Sequence, residues 1–313
     1  MITVAALSPS LDLTYPLPRY RLGATHRTPP AVTVAGGKAL NMARAARAMG
    51  ADVVVVALLG GGTGRRVVEL ARAEGLPLVE VDAGVETRTC VSVAAADTGE
   101  LTEIYEDSRP VPPAVLAAFA DALVEQLRRR PGWLSVSGRG PAGAEAAVAD
   151  LVGLGRSCGA TVAVDTHGSA LAPSLAAGPA LVKVNRAEAA ELLGRPTDTD
   201  LAAMAEEVRR RTGCAVVLTD GVQGSLAADD HGLTRVAPPE RRGHFPVGSG
   251  DSFLGGLLAA LEAGGDLASA VRLGTGCAVA NAQVPGQGHF DAQLARQLAD
   301  QARLVPQGAA GDG

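Results

Sequence analysis

The chain has 313 residues and a mass of 31.5 kDa, room for one large α/β domain or a domain with a lid. Hydrophobic residues make up 47% but aromatic residues only 3%, so a sizeable core must be built from Ala, Val and Leu. A net charge of −5, a pI near 5.6 and the lack of any basic tract argue against a nucleic-acid surface. The longest apolar run, 53–59, is too short for a membrane span, and the first residues lack the basic flank of a signal peptide. Cys90, Cys158, Cys214 and Cys277 form no Cys-x-x-Cys pair and the histidines lie far apart, which supports neither disulfides nor zinc. The expectation is a reduced, cytoplasmic protein.

Residues 2–7 read as a buried first strand that ends at Ser8-Pro9-Ser10 and Asp12. From 13 to 34 the pattern is extended and broken by Pro16, Pro18, Pro29 and Pro30, as in lid or edge strands. A helix is expected at 40–49, a strand with two apolar faces at 53–58, a helix at 65–74 closed by Gly75, and a strand at 78–81. Segments 88–94 and 101–105 flank Asp97-Thr98-Gly99-Glu100, a hairpin signal that would join the earlier extended stretch in one small sheet.

Strands and helices then alternate. Helices are expected at 114–130, 142–157, 169–176, 186–193 and 199–211, with strands at 133–137, 161–165, 180–184 and 214–219. This alternation predicts a parallel sheet covered on both sides. Two or three short strands fill 223–246, helices at 251–263, 267–282 and 290–302 follow, and 305–313 reads as a loose tail. With no repeat and no long linker, 1–313 reads as a single domain carrying lid segments at about 12–35 and 86–107.

Residues 246–250, Pro-Val-Gly-Ser-Gly, form a small-residue turn before an apolar stripe at Phe253, Leu254, Leu257, Leu258 and Leu261. A helix beginning near Gly250 would aim unpaired N–H groups at that turn and attract an anion. Asp251 in its first turn is either a common first-turn carboxylate or a base for an attacking hydroxyl. Gly60-Gly-Gly-Thr-Gly64 fails the Gly-x-Gly-x-x-Gly dinucleotide pattern, and no Walker A loop occurs. Gly36-Gly37-Lys38-Ala39-Leu40-Asn41 places glycines, a point charge and a donor-acceptor side chain at a helix start. Lys183-Val-Asn185-Arg-Ala-Glu188 ends a strand, and Asn185 with Glu188 fits a capping box. Thr219-Asp-Gly221-Val-Gln-Gly224 also reads as a plain hairpin turn.

The order of these motifs is more telling than any one of them. Gly36-Gly37-Lys38 with Asn41, Ala43, Gly50 and Gly60 resembles the N-terminal signature of the PfkB (ribokinase-like) carbohydrate kinase family. Val247-Gly-Ser-Gly-Asp251 with Gly255-Gly256 resembles its C-terminal signature, and Lys183-x-Asn185-x-x-Glu188 and Thr219-x-Gly221-x-x-Gly224 resemble its metal/phosphate motif and nucleotide loop. Residues 59–64, 87–92 and 103–106 look most like the 1-phosphofructokinase and tagatose-6-phosphate kinase branch.

The resemblance implies a three-layer α/β/α sandwich with a small β-sheet lid, ATP and Mg²⁺, and transfer to a hydroxyl of a phosphosugar. It implies Asp251 as base, Gly248, Ser249 and Gly250 as anion hole, and Asp12, Gly37, Lys38, Asn41, Arg88, Ser137 and Arg139 on the substrate. Lys38 and Arg88 would hold the substrate's phosphate. Lys183, Asn185, Thr219, Gly221, Gly224 and Asn281 would serve the nucleotide, and Glu188 with Asn185 would hold Mg²⁺ through water. The lid implies a homodimer.

The chain departs from the branch in four places. Ser8-Pro9 stands for Asn-Pro, Ala39 for the last glycine of Gly-Lys-Gly, Ser137-Gly-Arg139-Gly-Pro141 for Ser-Gly-Ser-Leu-Pro, and Phe245 for a polar residue. All but Phe245 fall on the substrate side, which keeps open a cyclitol phosphate or another sugar-like acceptor. The reading from another class is a non-catalytic sugar-phosphate sensor, against which stands the retained Gly-Ser-Gly-Asp turn.

Overall fold

The computed structural model describes residues 1–305. The chain opens with β1 (Ile2–Ala6), then β2 (Ser10–Leu17) and β3 (Val32–Gly36), and enters α1 (Lys38–Ala48), β4 (Val53–Leu59), α2 (Gly61–Ala73) and β5 (Leu78–Asp82). The hairpin β6 (Arg88–Ala95) and β7 (Leu101–Tyr105) follows. The alternating part runs α3 (Pro113–Arg129), β8 (Trp133–Ser137), α4 (Ala147–Ser157), β9 (Thr161–Asp165), α5 (Leu171–Ala176), β10 (Leu181–Asn185), α6 (Arg186–Leu193), α7 (Leu201–Thr212) and β11 (Ala215–Thr219). The chain then forms β12 (Ser225–Asp229), β13 (Gly232–Ala237), α8 (Ser249–Glu262), α9 (Leu267–Asn281), α10 (Ala292–Gln301) and β14 (Arg303–Val305).

The large sheet has ten strands in the order β14-β13-β12-β11-β10-β9-β8-β1-β4-β5. From β11 to β5 every neighbouring pair is parallel, while β12, β13 and β14 add antiparallel edges. The alternating part forms the expected parallel sheet, and the antiparallel strands make the whole sheet a mixed one. Its interior strands alternate between two cores: Ile2, Val4, Val55 and Ala57 meet one, and Ala5, Val56 and Leu58 meet the other. Helices α1, α2, α8 and α9 cover the first face; α3 and α4 cover the second, which α6 and α7 extend. Each fully buried leucine of these layers, such as Leu254 or Leu257, contributes about 1.5–3 kcal/mol.

Several boundaries differ from the sequence expectation for identifiable reasons. Helix α2 starts at Gly61 rather than 65, because the Glu86 carboxylate accepts the Thr63 N–H at 2.6 Å and turns a glycine run into a first helical turn. Helix α4 starts only at Ala147, since Ala144 N–H closes a turn on Pro141 O at 2.9 Å. Within 223–246 two strands form, β12 and β13, within the two or three expected, whereas β14 is an unexpected strand that pairs Leu304 with Val236. The expected tail at 305–313 lies, apart from Val305, outside the described residues. Among the described residues no helix is long and apolar enough to cross a membrane.

The small sheet has the order β3-β2-β6-β7, joining the two extended stretches as expected. Its β2–β6 pair is parallel, with Asp12 opposite Cys90 and Leu13 opposite Val91. Ser10, Asp12, Thr14, Cys90 and Ser92 are buried on the inner face; Leu13, Tyr15, Val91 and Val93 are half-buried on the outer one.

Helix α8 lies between α1 and α9. A Cβ on Gly255 would fall 2.6 Å from Met42 O and one on Gly256 2.6 Å from Cys277 Sγ, so only glycine lets the three helices approach this closely. That approach sets the first turn of α8 against α1.

Candidate active site

The first turn of α8 begins at Ser249, one residue before the expected start, with Gly248 as its N-cap at φ +79°. A side chain at Gly248 would be strained, and its Cβ would lie 2.8 Å from Gln287 Cβ. Asp251 is 7% exposed and accepts a hydrogen bond from Asn41 Nδ2 at 2.9 Å. Burial pushes its carboxyl above the ordinary range and Asp165 adds to this, while Lys38, the Asn41 donor and Lys183 work against it. A buried carboxylate with a raised proton affinity suits proton abstraction from a hydroxyl.

Opposite Asp251 stands an ionic cluster. Asp165, wholly buried at the end of β9, accepts from Lys38 Nζ at 3.0 Å through one oxygen and from Lys183 Nζ at 2.9 Å through the other. Burial would raise the Asp165 pKa, but Lys183 and Lys38 outweigh it and hold it at about 2. For Lys38, burial opposes the charge, yet Asp165, Asp251 and Glu188 together push its pKa up. Lys183 Nζ lies 3.0 Å from where a Cβ on Gly250 would sit, so the ammonium is set directly under the helix start. Backbone donors at a helix N-terminus with a lysine below them form an anion cradle.

On one side of this cradle is a cleft of about 900 Å³ lined by Thr219, Gly221, Gly224, Arg241, Ser249 and Gly250, among others. On the other side is the inner face of the small sheet. There Ser10 Oγ donates to Asp12 Oδ1 at 2.5 Å; burial raises the Asp12 pKa, opposed by that bond, by Arg88 and by the Gly37 N–H. Arg88 donates to Ser8 O and Glu106 O, both at 3.2 Å, and its Nε is buried without a partner. Arg88 also lines a small cavity of about 30 Å³ together with Ser8, Ser108 and Arg109. The arrangement sets Asp251 and the helix start between a large cleft and the inner face of the small sheet, a layout that suits group transfer from a polyanion to a hydroxyl.

A family model for the pfkB family carbohydrate kinases matches residues 5–293. The chain belongs to that family. Two curated relatives named 1-phosphofructokinase, from Rhodobacter capsulatus and Haloferax volcanii, are each 34% identical over 282 and 278 residues, covering 88% of this chain and 88% of theirs. Phosphofructokinase-2 from Escherichia coli, crystallised in complex with substrates and products, superposes with a TM-score of 0.87 at 27% identity, covering 96% of this chain and 98% of that one.

Within this PfkB kinase the sequence-derived residues fall into distinct places. Lys38, Asn41, Lys183, Gly250 and Asp251 converge around Asp165, and Asp12, Gly37 and Arg88 gather under the small sheet. Ser137 is buried at the end of β8, its Oγ 3.0 Å from Ser135 Oγ. Arg139 is half exposed and lies 3.5 Å from Asp107. Asn185 and Glu188 form the capping box of α6, with bonds of 2.9 and 2.7 Å. Lys183 does not line the large cleft but lies behind its wall.

Asn281 needs correction. It is 1% exposed, its Nδ2 donates to Val247 O at 2.8 Å and Ser249 Oγ at 3.2 Å, and its Oδ1 accepts from Gly288 N–H at 2.8 Å and Ser252 Oγ at 3.2 Å. Its hydrogen-bonding capacity is spent holding the turn from behind, so it supports the cradle and has nothing left for a nucleotide.

Asp165 is the residue that sequence reasoning missed. Its signal was slight: a lone carboxylate ending the apolar run Val162-Ala-Val164 at the carboxyl end of a parallel strand, where ligand sites of such sheets collect.

Proposed function

We propose that this PfkB kinase transfers the γ-phosphoryl group of ATP to a hydroxyl of a phosphosugar of the fructose 1-phosphate type. The observation that carries the reading is Asp251: a buried carboxylate of raised pKa, in the first turn of a helix, beside a carboxylate clamped by two lysines. Asp251 accepts the hydroxyl proton as attack begins. The N–H groups at 248–251 and the Lys183 ammonium stabilise charge on the transferring group. Lys38 shares its ammonium between Asp165 and the reacting anion. Thr219, Gly221 and Gly224 line the cleft that takes the nucleotide.

The acceptor's existing phosphate goes to the Arg88 guanidinium, with Arg109 close by. Arg139 and Ser137 border the same side. Among the described residues no cluster of three or more acidic, His or Cys side chains is built for a metal. That suits Mg²⁺ bound chiefly by phosphate oxygens and water, with Glu188 beside Lys38 and Asn185 reaching it through solvent. Bound there, Mg²⁺ would neutralise charge on the phosphates.

The outer face of the small sheet supports a homodimer: Leu13, Val91 and Ile104 lie in register across it, and Ile104 is 62% exposed. Light scattering on the purified protein tests that. A cytoplasmic location follows from the need for ATP.

The deciding experiment is an ADP-release screen over phosphorylated and unphosphorylated hexoses and cyclitols. Fructose 1-phosphate or a close phosphosugar should give the highest kcat/KM. A neutral sugar as best acceptor refutes the phosphosugar reading, and a cyclitol phosphate would redirect it.

A further inference from the structure

The base is reached through a side chain whose own orientation must be set. Asn41 donates from Nδ2 to Asp251, which leaves its Oδ1 to accept, and the donor there is Arg44 Nη1 at 3.3 Å. Reversing the amide would turn a lone pair towards the carboxylate and an N–H group towards the guanidinium. Arg44 thus makes one of the two orientations much the better.

The rest of the guanidinium is committed as well. Nη1 also donates to Gln287 O at 2.7 Å, Nη2 to Ala35 O at 2.6 Å, and Nε to Glu74 Oε2 at 2.7 Å, and the side chain is only 8% exposed. The contact with Gln287 leads to the second catalytic element. Gly288 N–H donates to Asn281 Oδ1, Asn281 holds Val247 and Ser249, and Gln287 packs against Gly248. A single guanidinium therefore stands behind both the base and the anion cradle.

We propose that Arg44 is a positioning residue for the phosphoryl transfer: it locks the Asn41 amide onto Asp251 and, through residues 287 and 288, keeps the cradle in register with that base. The proposal rests on the reading of Asp251 as the base. Burial of an arginine could serve stability alone, but one of its acceptors, Asn41, leads by a single hydrogen bond to Asp251, and another, Gln287 O, leads through Gly288 and Asn281 to the turn before α8. Its remaining partners, Glu74 at the C-cap of α2 and Ala35 on the small sheet, fix the guanidinium plane.

The test is Arg44→Lys, which keeps the charge and loses the fork. Misplacing a reacting group by about an ångström costs on the order of 10²-fold, so kcat should fall roughly 10- to 100-fold, with KM for ATP within about threefold. The acid limb of the kcat profile should also move to higher pH. Asp251 loses an oriented donor, while Lys38 on α1, Asp165 on β9 and Lys183 on β10 still face it. In an Asn41→Ala background Arg44→Lys should no longer move that limb.

If Arg44→Lys does not fold, Glu74→Gln, which loosens the guanidinium from the α2 side, should shift the limb in the same direction. A readout that needs no acceptor is the ¹⁵N resonance of the Asn41 side-chain amide, which should titrate with Asp251 in the wild type and lose that response in the variant. Absence of turnover on every phosphosugar with the amide response intact refutes the acceptor reading alone. An amide that titrates alike in wild type and variant, or an acid limb unmoved despite lowered thermal stability, overturns the positioning role.

Discussion

Replacing Asp165 by Asn keeps the volume of the side chain and removes the charge between two lysines. Both ammoniums then lose the carboxylate they contact at 3.0 and 2.9 Å, and Lys183, only 4% exposed, has no solvent to turn to. Breaking a buried pair from one side costs about 3–5 kcal/mol. The pKa drop from 3.8 to about 2, at about 1.4 kcal/mol per unit, gives a smaller figure of roughly 2–3 kcal/mol. The larger figure applies to the substitution, which strands two cations, and the smaller to acid titration.

With an unfolding entropy of about 2.1 cal/mol/K per residue over 313 residues, 3–5 kcal/mol lowers Tm by about 5–8 °C. The titration has a definite sign. A folded pKa held below the unfolded one stabilises fully above about pH 4, and that stability is lost as pH falls towards 2. Circular-dichroism melts of both proteins at pH 7 and near pH 3 give the difference, which should shrink in acid. Turnover should fall by at least about 10²-fold, because the variant disturbs the lysine beneath the cradle. Melting within 1 °C of the wild type, with half its turnover kept, would show that Asp165 holds neither structure nor catalysis.

Asp251→Asn should lower kcat by roughly 10²–10⁴ and barely change ATP binding. Since the folded pKa is raised, the ionised carboxylate weakens the fold as pH rises through that value, so the variant should melt at or above the wild type at pH 7. A variant that melts lower while turning over normally would make Asp251 structural. Gly250→Val should impair turnover far more than Tm, because its Cβ meets Lys183 Nζ rather than the core; equal losses in a kinetic and a thermal assay contradict that. Arg88→Ala should raise KM for the phosphorylated acceptor about tenfold or more, with KM for ATP within a few-fold. An unchanged acceptor KM would remove Arg88 from the phosphate site.

Much of this architecture could be read from local pattern. Strands 133–137 and 161–165 emerge at the expected residues because short apolar runs between polar breaks suit buried parallel strands. The Gly-Ser-Gly-Asp turn was legible since small residues before an apolar stripe have few other uses. The antiparallel edge was not: β14 is three residues long and is specified by its partner β13 rather than by its own sequence. The start of α2 depends on Glu86, a distant carboxylate that no local window contains.

The same distance hid the inner parts of the site. Asp165 makes its bonds to residues 18 and 127 positions away, and Arg44 to Gln287 spans 243. Arg44 sits in an Ala-rich helix whose local pattern does not mark it, and Asn281 is assigned to the nucleotide by resemblance alone. Only folding shows that these side chains are spent inward.

The alternation in β2 and β6 has a consequence for how this protein can change over evolutionary time. Asp12 and Cys90 face inward while Leu13 and Val91 face outward, one position apart on paired strands. Deleting or inserting a single residue in either strand would exchange the two sets, putting leucine on the inner face and a carboxylate on the outer surface. The strands can therefore diverge by substitution but not by length. Length variation should be tolerated in the largely exposed connection 18–31, which pairs with neither sheet, so lineages that acquire new acceptors should differ there in size while keeping the spacing of residues 10–17 and 88–95.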